Sequence, residues 1–198
     1  GLVLPPNIAP IQVIVVPVAQ HKEGVLDKAA ELLDTLKKAG IRAKMDDSDN
    51  SMGWKCAQWE MKGVPVRIEI GPRDIENGVC MAVRRDNGEK TEIELSKLTE
   101  RVQEVLDSVQ QGLFDKAKAN LDSHIFEAHS LDEAKKLQEE RGGFIKTMWC
   151  GDVACEEKMK EQAGMSSRCI PFKQENLGDV CPICGRPAKT MIYWGVAY

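Results

Sequence analysis

Four cysteines in two close pairs are the feature that most limits how the last third of this chain can fold. Four residues separate Cys150 from Cys155, two separate Cys181 from Cys184, and 25 residues lie between the pairs. Two turns that each aim a pair of thiolates at one point are what a tetrahedral zinc ion requires. Because all four positions are thiolates and none is left for water, the pattern predicts a structural zinc rather than a catalytic metal.

Two other interpretations of these cysteines stay open at this point. All four could be ordinary reduced thiols, or Cys181 and Cys184 could form a redox pair. Such a pair usually opens a helix, whereas Gly185-Arg186-Pro187 follows here. The chain has seven cysteines, an odd number that argues against a disulfide framework. We therefore expect reduced thiols, structural Zn²⁺ as the cofactor of this chain and a cytoplasmic location.

The first hundred residues carry the pattern of an α/β fold. The β-branched run from Ile11 to Val18 predicts a strand covered on both faces, residues 23–38 a helix with one apolar face, and residues 41–45 a second strand. This order indicates a parallel strand–helix–strand unit. Alternation over residues 64–70 predicts a further strand, and Asp86-Asn87-Gly88 predicts a hairpin. We expect a mixed sheet of about five strands with helices packed on it.

The domain boundary is expected inside a long helix that Ser96 caps. Residues 1–112 form the first domain with the start of this linking helix, and residues 113–198 form a small α+β zinc-binding domain. The stretch from residue 143 onward has few apolar residues for a core of its own, so metal binding should supply folding free energy there. Because the chain begins with Gly rather than Met, we also expect it to be part of a longer protein.

Composition excludes several functional classes. The net charge of −4 restricts any nucleic-acid contact to a local patch, because phosphate binding depends on clustered Lys and Arg. No apolar run approaches the length that a membrane helix needs, so we expect no membrane partner. The connection Ala19–Gly24 lacks the glycine pattern that cradles phosphates, which argues against a nucleotide-using enzyme on the first strand and helix.

Segments of both domains resemble, in order, the C-terminal region of archaeal- and eukaryote-type prolyl-tRNA synthetases. In the first domain the resemblance lies in Leu4-Pro5-Pro6 and in Val64–Asp74, which ends in Gly-Pro-Arg-Asp. In the second it lies in the two cysteine pairs, Cys169-Ile-Pro-Phe and the terminal Tyr198. The resemblance spans essentially the whole chain. It implies the class II synthetase anticodon-binding fold followed by a zinc-binding domain.

The resemblance further implies recognition of the two G bases of the proline anticodon at the sheet edge. Glu69, Arg73 and Asp74 lie where a strand ends. Arginine can pair with O6 and N7 of guanine, and a carboxylate can accept from its N1–H and N2–H groups. Arg84 and Arg85, beside the hairpin turn, could hold phosphates. The competing interpretations are a turn ion pair between Arg73 and Asp74, and solvated surface charge for Arg84 and Arg85.

The same resemblance concerns parts of the enzyme outside this chain. The intact enzyme would join proline to its tRNA with ATP and Mg²⁺ in a catalytic core, so we expect no catalytic residues here and an inactive fragment. Expected partners are proline tRNA and the missing catalytic domain, in a homodimeric parent, and the carboxylate of Tyr198 is expected to reach toward that active site. The alternative is a zinc-knuckle protein-interaction module without tRNA specificity.

Overall fold

A computed structural model of the chain describes residues Gly1–Ala197. The chain divides into two compact units, Gly1–Lys116 and the residues from Ala117 onward. This division falls inside helix α4 (Leu98–Asp122). Within the described range, no helix combines the length and apolar character needed to cross a membrane.

The first unit is built on a mixed five-stranded sheet, which confirms the predicted fold class. The strand order is β2-β1-β3-β4-β5, with β1 parallel to β2 and β3, and β4 antiparallel to β3 and β5. The elements that precede α4 are β1 (Val13–Pro17), α1 (Val25–Lys38), β2 (Ala43–Met45), α2 (Met52–Met61), β3 (Val66–Ile70), α3 (Pro72–Glu76), β4 (Val79–Arg84) and β5 (Lys90–Glu94).

Strand β1 is buried along its whole length because both faces of the sheet are covered there. Val13 and Val15 belong to a core that includes the apolar faces of α1 and α4. Ile14 and Val16 belong to a second, smaller cluster on the other face, with Trp59 of α2. A continuous β-branched run is what a strand in this position requires.

The start of α4 differs from the sequence prediction. Ser96 does not cap the helix directly, because Leu95–Lys97 form a 3₁₀ turn and α4 begins at Leu98. The buried residues of α4 nevertheless repeat at helical spacing, as predicted, and pack on the sheet: Leu98, Val102, Leu106 and Val109.

The second unit contains a four-stranded sheet in the order β6-β7-β9-β8. Its elements are β6 (Ile125–Glu127), α5 (Leu131–Arg141), β7 (Phe144–Trp149), α6 (Val153–Ala163), β8 (Ser166–Cys169) and β9 (Thr190–Gly195). The core is larger than the sequence suggested, because methionines and one tryptophan fill it: Met148, Met159, Met165, Met191 and Trp194. Trp149 packs edge-to-face on Trp194, with ring centroids 6.4 Å apart.

Candidate functional site

The four paired cysteines converge in the second unit. The sulfurs of Cys150, Cys155, Cys181 and Cys184 all lie within 4.8 Å of one another. Sγ of Cys150 is 3.6 Å from that of Cys155 and 3.7 Å from that of Cys184. Zinc–sulfur bonds of about 2.3 Å give a tetrahedron whose edges measure about 3.8 Å. The sulfurs are therefore spaced for a tetrahedral metal and are too far apart for disulfides, whose S–S bond is about 2.05 Å.

Two turns of different construction present these sulfurs. Cys150 directly follows β7, and Cys155 lies in the first turn of α6, where Asp152 is the N-cap and accepts from the Ala154 amide at 2.9 Å. In the other pair, the Cys181 carbonyl accepts from the Gly185 amide at 2.8 Å. Gly185 has φ of 74°, a left-handed conformation that glycine adopts without steric cost. Each pair is thus held by local backbone geometry.

The cluster has a buried side and an exposed side. Cys155 and Cys181 are buried, and burial raises the pKa of both thiols, that of Cys155 to about 12. Cys184 is exposed, and a hydrogen bond from Arg186 lowers its pKa to about 6. Two buried thiols become thiolates only beside a positive charge, because a buried anion is costly. A divalent cation bound to all four sulfurs would provide that charge, so the donor set fits a soft metal such as Zn²⁺.

Among residues 1–197, this cluster is the only group of His, Cys, Asp or Glu side chains that converge closely enough to hold a metal ion. The other cysteines lie elsewhere: Cys80 is buried in the first core, Cys56 is half-buried on α2, and Cys169 is exposed in β8. This distribution agrees with the pairing expected from their spacing in the sequence.

A second candidate site lies on the sheet of the first unit. Between β3 and β4, Arg67 pairs with Val83 and Glu69 pairs with Met81. Between β4 and β5, Val83 pairs with Lys90 and Met81 pairs with Glu92. These residues alternate with the core residues and so occupy the opposite side of the sheet, called the open face below. Helix α2 packs on this side over β1.

Arg67 is held between two carboxylates on the open face. Its Nε donates to Glu69 at 2.8 Å, and its Nη1 donates to Glu60 of α2 at 3.1 Å. Burial opposes the charge of Arg67, but these hydrogen bonds outweigh it and raise the guanidinium pKa. Of the five guanidinium N–H donors, these contacts use two. Arg67 also lines an adjacent cavity of about 280 Å³, together with Trp59 and Arg85.

The fold does not bring together the five residues that were predicted from the sequence to contact RNA. Arg84 pairs with Val66 at the start of β3, whereas Arg73 and Asp74 follow its end. A strand of five residues, roughly 16 Å long, separates the two groups. The structure therefore places Arg84 and Arg85 beside the start of β3 and Arg73 beyond its end. The Arg84 side chain contacts Ser108 of α4, on the side of the sheet opposite the open face.

Four of these residues already have partners. Arg85 donates from Nε to the Glu60 carbonyl at 3.4 Å. Glu69 binds Arg67, and the Asp74 carboxylate accepts from the Gly71 amide at 2.7 Å, which caps α3. Arg84 donates to both carboxylate oxygens of Asp86, at 3.0 and 2.7 Å, and to the Ser108 hydroxyl at 2.8 Å. Arg73 is exposed and, among the described residues, makes no ion pair with Asp74.

Sequence reasoning missed the pair Glu60 and Arg67. The available signal was the position of Arg67, a cation at a polar position of the alternating run over residues 64–70. Nothing in the sequence indicated that α2 would bring Glu60 next to it. The predicted role of Tyr198 falls outside the described residues.

Comparison with known proteins adds two family matches. Residues 12–105 match the family described as "Anticodon binding domain", and residues 131–198 match "Prolyl-tRNA synthetase, C-terminal".

Curated relatives match along the entire chain. "Proline--tRNA ligase" of Lachnospira eligens is 52% identical and that of Clostridium novyi 53% identical, and "Proline--tRNA ligase 2" of Bacillus thuringiensis subsp. konkukian is 52% identical. Each match covers 100% of this chain and 41% of the relative, so the chain spans about two fifths of their length. By these matches, residues 12–105 are similar to anticodon binding domains and residues 131–198 to the C-terminal domain of prolyl-tRNA synthetases.

Proposed function

We propose that this chain is the tRNA-binding part of a proline–tRNA ligase of the archaeal and eukaryote type, and that its first unit reads the anticodon of proline tRNA. One observation carries the proposal. The two family matches follow each other along the chain, and the relatives that match the full chain are named proline–tRNA ligases. The alternative, a zinc-knuckle interaction module without tRNA specificity, explains the second unit but leaves the first unit without a function.

The open face supplies the chemistry for reading guanine. Arg67 is fixed by Glu69 and Glu60, so its remaining N–H donors point in a defined direction and can pair with O6 and N7 of a guanine. Glu60 is partly exposed and can accept from the base N1–H and N2–H groups. Single-stranded bases are read through such edges when they are splayed out of a loop.

The residues that the sequence predicted for RNA contact have different roles in this proposal. Arg73 is exposed beyond the end of β3 and is free to contact a base or a phosphate there. Glu69 acts through Arg67, and Asp74 supports the turn by capping α3. Arg85 lines the cavity and can meet a phosphate, whereas Arg84 holds the hairpin through Asp86 and Ser108.

Binding of the 198-residue chain to proline tRNA transcripts tests this proposal. Wild-type protein should prefer the natural anticodon over transcripts in which either anticodon guanine is replaced by adenine. Arg67→Lys keeps the charge but loses the planar fork, and it should weaken binding by about 1–3 kcal/mol and relax discrimination at one base. Arg73→Ala should do the same at the end of β3.

Arg101→Ala is the matched control, because Arg101 lies on α4, outside the open face, and pairs with Glu104. It should leave tRNA binding unchanged. Equal binding of natural and guanine-substituted transcripts by the wild type would refute anticodon reading. Equal binding of proline tRNA and unrelated tRNAs would favour the interaction-module alternative.

The metal forms the second part of the proposal. Cys150, Cys155, Cys181 and Cys184 would hold one structural Zn²⁺, which contributes folding free energy and leaves no position open for water or substrate. Elemental analysis of the purified chain should give about one zinc per molecule, as a single four-ligand site requires. A folded second unit without bound metal would contradict this part.

The activity of the longer protein is also a proposal. It would ligate proline to tRNA with ATP and Mg²⁺ in a catalytic domain outside this chain, act as a homodimer and work in the cytoplasm. The terminal carboxylate of Tyr198 would support that active site. Deletion of Tyr198 from the full-length enzyme should lower the rate of proline activation while zinc content stays constant. Unchanged kinetics would leave the residue without that role.

A further inference from the structure

Arg186 and Asp152 lie against the cysteine cluster but are not ligands. Arg186 donates from Nε to Sγ of Cys184 at 3.4 Å and from Nη2 to Sγ of Cys150 at 3.9 Å. It also forms an ion pair with Asp152. Arg186 follows the second cysteine pair by two residues, and Asp152 lies between the two members of the first pair. The arginine therefore joins the two halves of the cluster from outside.

The two sulfurs that Arg186 contacts are those least covered by protein. Cys184 is exposed and Cys150 is half-buried, whereas Cys155 and Cys181 are buried. Four thiolates with one Zn²⁺ carry a net charge of −2, and much of the charge that water can reach lies on these two sulfurs. A guanidinium held against them offsets that charge and occupies the side from which a competing chelator would approach.

Asp152 restrains the guanidinium through a second, independent attachment. Its Oδ1 accepts from the Ala154 amide at 2.9 Å as the N-cap of α6, while its Oδ2 pairs with Arg186. The carboxylate is thus anchored to the helix that carries Cys155. One ion pair consequently links the turn of one cysteine pair to the helix of the other.

We infer that Arg186 and Asp152 form a latch over the exposed side of the cysteine cluster that slows the exchange of its metal. Arg186 is a positioning residue in this scheme, because it acts through the sulfurs of Cys184 and Cys150. The inference rests on the proposed zinc site. In this scheme the metal leaves by the exposed side of the cluster, and Arg186 and Asp152 set the rate of its release.

Transfer of zinc from the zinc-loaded 198-residue chain to an excess of a colorimetric chelator measures this rate. Arg186→Gln removes the charge and both sulfur contacts. Removing an outer-sphere partner usually lowers metal affinity about 10–100-fold, and we expect that loss to appear as a release rate faster by the same factor. Arg186→Lys retains the charge but cannot span two sulfurs and Asp152. Its rate of zinc release should therefore lie between those of the wild-type chain and Arg186→Gln. Asp152→Asn keeps a good helix cap while breaking the ion pair, and it should also accelerate release.

Lys189→Gln is the control, because it removes an exposed cation five residues from Cys184. It should release zinc at the wild-type rate. If Arg186→Gln and Asp152→Asn also release at that rate, the latch is refuted while the zinc site stands. If the wild-type chain holds no zinc, both the zinc site and the role of Arg186 and Asp152 in metal exchange are refuted. If Arg186→Gln does not fold, Asp152→Asn and Arg186→Lys decide the question by the same comparison.

Discussion

Replacing Asp46 with Asn should weaken the first unit, because this buried carboxylate ties strand β2 to helix α2. Asp46 directly follows β2 and is 6% exposed. Its Oδ2 accepts from Nε1 of Trp59 at 2.6 Å. Its Oδ1 accepts from the hydroxyl and the amide of Ser48, at 2.6 and 3.2 Å. Both carboxylate oxygens of Asp46 therefore accept hydrogen bonds.

Asparagine matches the shape of this site but not its hydrogen bonding. It keeps one oxygen and presents an NH₂ group where the second oxygen was, so either the Trp59 indole or the Ser48 amide faces another donor. Loss of one charge-assisted hydrogen bond in a buried site costs about 1.5–3 kcal/mol. We expect Asp46→Asn to lower the free energy of unfolding of the first unit by that amount. Asp47→Asn, at the exposed neighbour, should change it by less than about 0.5 kcal/mol.

Hydrogen exchange of β1 and β3 peptides in increasing urea would measure this change in the first unit alone. The dependence on pH provides a second check. Burial opposes the Asp46 charge, but hydrogen bonds from Ser48 and Trp59 outweigh it and lower the pKa of the carboxyl. The carboxylate therefore stabilises the fold fully above the unfolded pKa of about 3.9, and this contribution disappears as pH falls through the folded pKa. Equal stability of the two proteins at pH 7, or a difference that grows toward acid, would refute the reasoning.

Three further predictions concern the metal, the backbone and the RNA. Cys155→Ser should abolish zinc binding and destabilise the second unit, whereas Cys169→Ser should leave the zinc content of the chain unchanged in elemental analysis. Gly143→Ala should lower the melting temperature much more than Gly142→Ala, although both glycines have positive φ. A methyl group at position 143 would lie 2.3 Å from the His124 carbonyl oxygen, whereas a methyl group at position 142 would meet open space. The logarithm of the tRNA association constant should fall with the logarithm of salt concentration with a slope of about −2. Three cations of the first unit that form no ion pair among the described residues, Arg73, Arg85 and Lys90, would be available for phosphates, and each would contribute about −0.7 on a single strand. A slope steeper than about −4 would indicate a broad phosphate-binding surface instead.

Elements with a strong periodic signal were predictable from the sequence. Helix α1 buries Val25, Ala29, Leu32 and Leu36, in agreement with the single apolar face predicted for residues 23–38. The hairpin around Asp86-Asn87-Gly88 and the parallel strands beside β1 also formed as expected, because each depends on local pattern or a tight connection. The four cysteines came together as their paired spacing predicted.

What could not be predicted depends on contacts between distant segments. Strands β6 and β8 are short and partly polar, and only their neighbours in the sheet make them strands. The contact between Glu60 and Arg67 arises from the packing of α2 on β1, which no local pattern encodes. The same holds for Asp74, whose carboxylate looked available to RNA in the sequence but caps its own helix in the fold.

The order of strands in the second sheet has a consequence for how the protein is made. The last strand in the sequence, β9, lies between β7 and β8 and pairs with both. Until residues 190–195 have left the ribosome, β8 has no neighbour to pair with and β7 is bordered by β6 alone. The second pair of cysteines also emerges late, only a few residues earlier. The first sheet can assemble during synthesis, but the second unit must wait, so premature termination before β9 should leave an incompletely folded and protease-sensitive tail. Termination before Cys181 should also leave that tail without bound metal.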